Sequence, residues 1–93
     1  MIIVAGHLTV AAEDRAAYLD SCRDVVEQAR STPGCVDFAL GPDLLLADRI
    51  TVLEVWKDRS SLDRFRGAGP DDALADRIIG FDVKEFECQR FLP

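Results

Sequence analysis

The chain carries one histidine, His7, one tryptophan, Trp56, and one tyrosine, Tyr18, so its equipment for proton chemistry can be weighed residue by residue. Imidazole is the side chain whose unperturbed titration lies nearest neutrality, which makes His7 the natural candidate to move a proton. The competing reading is a neutral histidine hydrogen-bonded in a core or at a subunit face. Trp56 reads first as a large core aromatic. Glu54 stands two residues before it, hence on the same face of a strand. A buried carboxylate there requires a partner, for which Arg49, Arg64 and Arg90 are available, and structural pairing outweighs catalysis. Cys22, Cys35 and Cys88 are widely spaced, with no CxxC pair and no His/Cys metal pattern. They read as reduced thiols packed as small hydrophobes. No GxGxxG or GxxxxGK[ST] loop is present, which argues against nucleotides, and a lone histidine does not assemble a Ser-His-Asp set.

The elements that must position these residues belong to a single domain of 93 residues. Hydrophobic residues make up 48% and charged residues 30%, an ordinary globular mixture. Eleven Lys and Arg against seventeen Asp and Glu give a net charge of −6, which opposes binding to nucleic acid or to anionic lipid. No run approaches the roughly 20 apolar residues of a membrane span. The N-terminal stretch lacks a basic region and a small-residue cleavage site, so a cytoplasmic protein is expected.

Strand one is expected over Ile2 to Val10, apolar on both faces as in a central strand. A helix follows from about Glu13 to Arg30, with Tyr18, Leu19, Cys22, Val25, Val26 and Ala29 on one stripe. Pro33-Gly34 stops it. Strand two, Cys35 to Leu40, places Val36, Phe38 and Leu40 on one face and is broken by Gly41-Pro42-Asp43. Leu44-Leu45-Leu46 either continues that strand or joins a subunit contact. Strand three, Arg49 to Trp56, is again two-sided. Asp58 or Ser60 caps a short helix carrying Leu62 and Phe65. Pro70 opens a further helical stretch with Leu74 and Ile78 one turn apart, ended by Gly80. Strand four, Phe81 to Phe91, is charged as an edge strand can be.

The order β-α-β-β-α-β is the split βαβ, or ferredoxin-like, arrangement of α+β class. It has a four-stranded antiparallel sheet with strands one and three in the middle and both helices on one face. The uncovered face receives apolar side chains from strands one and three, a larger patch than a soluble monomer usually shows. A homodimer with the two sheets facing one another is therefore expected.

The segments IIVAGHLTV, RSTPGCVDF, ITVLEVWKD and SLDRFRGAGPDD, in this order and spacing, closely resemble the antibiotic biosynthesis monooxygenase (ABM) domain family. The likeness spans nearly the whole chain, and Pro33-Gly34-Cys35 and Glu54-Val55-Trp56 are its strongest local marks. The resemblance implies a dimeric α+β barrel. It also implies an activity among cofactor-free oxygenases that turn polyketide anthrones into quinones, haem-degrading enzymes, or members with no established activity. The haem-degrading branch ligates iron through a histidine in the region corresponding to Ser60–Gly80, where this chain has none. By resemblance, the His7 position points into a cavity between sheet and helices, where His7 would act as base or enolate donor. Trp56 would be a pocket wall and an N–H donor to a developing oxyanion. Tyr18, Phe38, Leu62 and Phe65 would line the apolar cavity that the fold places under the helices. The function so implied is oxidation of a small aromatic, polyketide-like substrate by O2 without cofactor or metal. The alternative is a non-catalytic dimeric barrel that binds a small ligand.

Overall fold

The computed structural model describes residues 1–69 and 72–89. Strand β1 spans Ile2–Thr9, β2 Cys35–Pro42, β3 Arg49–Trp56 and β4 Gly80–Glu87. All neighbours are antiparallel, in the order β2-β3-β1-β4, so the two-sided strands are the central pair, as their composition predicts. The register runs from Ile2 opposite Trp56 to Thr9 opposite Arg49 in β1–β3, and from Ile2 opposite Glu87 to Thr9 opposite Gly80 in β1–β4. Helices α1 (Arg15–Ser21), α2 (Arg23–Ser31) and α3 (Arg59–Gly67), with 3-10 segments at Ala12–Asp14 and Asp72–Arg77, complete the ferredoxin-like arrangement. Pro70 and strand four beyond residue 89, including Arg90 and Phe91, lie outside the described residues.

The first helical region departs from one continuous helix. Its entry is a 3-10 turn holding Glu13 and Asp14, and it bends at Cys22. The Cys22 N–H is shared between the carbonyls of Tyr18 and Leu19, both at 3.1 Å. That tightening of the turn divides α1 from α2 while keeping Tyr18, Cys22, Val25 and Ala29 buried on one stripe. Strand β2 also differs from expectation. A register shift between Cys35 and Asp37 leaves Val36 58% exposed instead of alongside buried Phe38. The strand then continues through Gly41 to Pro42, which an edge position tolerates because proline lacks only the donor.

Leu44-Leu45-Leu46 is a turn rather than more strand. The Asp43 carboxylate accepts from the N–H groups of Leu45 (2.9 Å) and Leu46 (2.8 Å), and Arg15 donates to the carbonyls of Asp43, Leu46 and Arg49. Leu44 and Leu45 are almost wholly exposed.

The period of two sends Ile2, Val4 and Leu8 of β1 and Ile50, Val52 and Trp56 of β3 toward the helices, where all are buried. Leu62 and Phe65 of α3 pack there with Trp56, Phe38 and Val25. The opposite face carries Ile3, Ala5, His7 and Thr9 paired with Val55, Leu53, Thr51 and Arg49, and no described helix covers it. Between the two halves of β1 stands Gly6, at φ 153°. A methyl group there would sit 2.1 Å from the Asp82 carbonyl oxygen, so only glycine admits β4 this closely.

Candidate active site

The helix-facing side of the sheet is not fully packed. Val4, Leu8, Phe38, Leu40 and Val52 form the floor of a cavity of about 420 Å3, with Tyr18, Cys22 and Val25 of the first helical region above it. Leu74 from the second 3-10 segment and Ile78 just beyond it close one side. Phe81 and Val83 of β4 form the wall toward solvent, where Phe81 is 70% exposed. Among the described residues, the charged side chains in the lining are Glu54, Arg66 and Glu85.

These three have different surroundings. Glu85 accepts from Arg59 Nη1 at 2.9 Å and from Arg66, and the two guanidiniums hold its carboxyl below the usual range. Glu54 accepts a 2.9 Å hydrogen bond from the indole Nε1–H of Trp56. Among the arginines weighed as its partner, Arg49 belongs to the opposite face by register and Arg90 lies outside the described residues; the Trp56 indole is one partner that Glu54 has. Trp56 is fully buried, its ring 5.2 Å from that of Phe65, which in turn meets Phe38 edge-on at 5.6 Å. Neither Trp56 nor Phe65 nor Leu62 reaches the cavity surface; they form the packed wall behind it. Of the four expected pocket residues, Tyr18 and Phe38 line the cavity and Leu62 and Phe65 do not.

The expected placement of His7 is corrected. Val4 and Leu8 face the cavity, so alternation along β1 turns His7 to the uncovered face, opposite Thr51 and Asp82. There its Nε2 lies 3.8 Å from an Asp82 carboxylate oxygen, and Asp82 also receives Lys84 at 2.7 Å. His7 cannot contact a molecule held under the helices. Trp56 likewise does not present its N–H to the cavity, because Glu54 takes it.

With the geometry in place, comparison with known proteins identifies the family. Residues 1–70 match the model described as antibiotic biosynthesis monooxygenase. The chain belongs to that family. Its fold is similar to that of a "putative antibiotic biosynthesis monooxygenase" from Nitrosomonas europaea, with a TM-score of 0.84 at 17% identity over 97% of this chain and 100% of that one. A conserved protein from Methanosarcina mazei gives a TM-score of 0.83 at 22% identity, over 95% and 92% of the two chains. A curated relative, an uncharacterized protein of Synechocystis sp., is 29% identical over 62 residues, 67% of this chain. The ABM chain spans 42% of that relative's length.

Several lining residues of this ABM domain went unassigned from the sequence. Val4, Leu8 and Val52 were legible through strand parity with Glu54. Leu74 and Ile78 were visible as a helical pair, but not their position over the cavity. The thiol of Cys35 is pushed up by burial, then by the carboxylates of Asp37 and Glu54, which removes it as a ready nucleophile. None of Cys22, Cys35 and Cys88 is in a disulfide among the described residues. Among the described residues no group of three or more His, Cys, Asp or Glu side chains is arranged to hold a metal ion.

Proposed function

We propose that this ABM-family chain is a monooxygenase whose cavity holds a flat, largely apolar anthrone-like or phenolic molecule and oxidises it with O2, without cofactor. The observation carrying this reading is the cavity itself. At about 420 Å3 it falls within the ~300–1,000 Å3 range of small-molecule sites, and its walls are apolar apart from a charged end. Such chemistry asks for a base to take a proton from an already acidic carbon, and for walls that keep water from the carbanion. The carbanion then reduces O2, so that a methylene group and O2 become a carbonyl and water.

The test is aerobic incubation with anthrone, following anthraquinone formation and O2 uptake. A rate above that of buffer is expected, and a rate equal to buffer overturns the proposal. A binding module without redox chemistry is the second reading. The outward position of His7 favours it. Anthraquinone bound with no anthrone oxidised would decide for it. The proposal includes assembly: two copies close their uncovered sheet faces together as a homodimer.

A further inference from the structure

We infer that Glu54 is the proton acceptor of the cavity and that Trp56 is its positioning residue. This rests on the reading of the cavity as the substrate site.

Three observations converge on Glu54. It stands on a central strand, beside the apolar Val4, Val52 and Phe38, in a cavity whose lining also includes the charged Arg66 and Glu85. Its carboxylate is oriented by an N–H donor that is itself fixed, since Trp56 is fully buried and braced by Phe65. Finally, the rival groups among the described residues are each less suited. His7 faces the other side of the sheet. Glu85 is bonded to two guanidiniums, which lower its proton affinity. The thiol of Cys22 and the phenol of Tyr18 are of types that ordinarily hold their protons at neutral pH.

The step balances simply. A Glu54 oxygen takes the proton of the ligand's acidic C–H, and the electron pair of that bond remains on the ligand as an enolate. Negative charge thus passes from Glu54 to the ligand. After O2 has accepted the electrons, the Glu54 carboxylic acid returns its proton to reduced oxygen. One oxygen atom becomes the new carbonyl, and the other leaves as water with the two methylene hydrogens.

The experiment uses the whole chain, with anthrone as reactant and anthraquinone as a non-reacting probe. Binding of the probe is read by quenching of the single tryptophan. Glu54→Gln retains an oxygen to accept the indole N–H but cannot serve as base. Its expected behaviour is unchanged anthraquinone affinity, kcat reduced by about 100-fold or more, and loss of the rising limb of the pH–rate profile. Glu54→Asp, the second variant, keeps the limb at reduced kcat. Trp56→Phe lowers kcat with little change in KM, because only orientation is lost. Undiminished kcat with an intact limb in Glu54→Gln overturns the assignment of the base while leaving the proposed function standing. Wild-type protein that neither binds anthraquinone nor oxidises anthrone overturns the proposed function itself, and the inference with it.

Discussion

At the scale of single residues, α3 depends on Asp58. Its Oδ1 accepts from the Ser61 N–H at 2.9 Å, from the Ser61 hydroxyl at 2.7 Å and from the Ser60 hydroxyl at 3.1 Å. This cap satisfies donors at the first turn of the helix that brings Leu62 and Phe65 to Trp56. The Ser61 hydroxyl, then its N–H, hold the Asp58 carboxyl below its ordinary value of 3.8. A lowered carboxylate stabilises the fold above the unfolded value, and that contribution disappears as pH falls through the folded one. Asp58→Ala is therefore expected to lower Tm by a few degrees at neutral pH. The difference from wild type should narrow as pH drops below 3.8, which thermal unfolding followed by circular dichroism at several pH values would check. Equal Tm values at pH 7 would show that the cap contributes nothing.

At the scale of elements, the Arg77 side chain fastens the 3-10 segment Asp72–Arg77 to the first helical region. Arg77 donates to Asp14 through Nε (3.0 Å) and Nη2 (2.8 Å), and its guanidinium lies 5.3 Å from the centre of the Tyr18 ring. Leu74 and Ile78 are held over the cavity by this clasp. Arg77→Ala is expected to speed amide exchange over residues 74–79 and to weaken anthraquinone binding, with the sheet's exchange unchanged. Hydrogen exchange with mass spectrometry measures it, and unchanged exchange would remove the clasp from the account. None of this was readable in advance, because ion pairs between residues 63 apart leave no local signal. The strand order was readable, since only two segments are apolar on both faces. The break at Cys22 was not, having neither Gly nor Pro to announce it. Neither was the shift beside Cys35 that turns Val36 outward. The face of His7 follows from its odd position on β1, yet its chemistry drew it toward the cavity on resemblance. The Trp56–Glu54 bond is a side-chain rotamer choice, which alternation alone does not specify.

At the scale of the molecule, the sheet has a helix-covered face holding the cavity and an uncovered face holding Ile3, Ala5, Leu53, Val55 and Phe86. Leu53 is central to the second, opposite Ala5 on β1 and Ala39 on β2, whereas His7, Asp82 and Lys84 lie toward its β4 side. If two copies meet here, a charge at the centre is brought near its own image and stripped of water, while the same charge on a lone chain stays hydrated. Leu53→Asp is accordingly expected to sediment as a monomer with unchanged far-ultraviolet circular dichroism, where wild type is expected to sediment as a dimer at micromolar concentration. The cavity lies on the opposite side of the sheet from Leu53, so the monomeric variant should still bind anthraquinone with wild-type affinity. Sedimentation velocity and tryptophan quenching on the same samples read both halves. A wild-type chain that sediments as a monomer overturns the assembly alone. A dissociated variant that has also lost the probe would show instead that the second copy supports the cavity through the sheet.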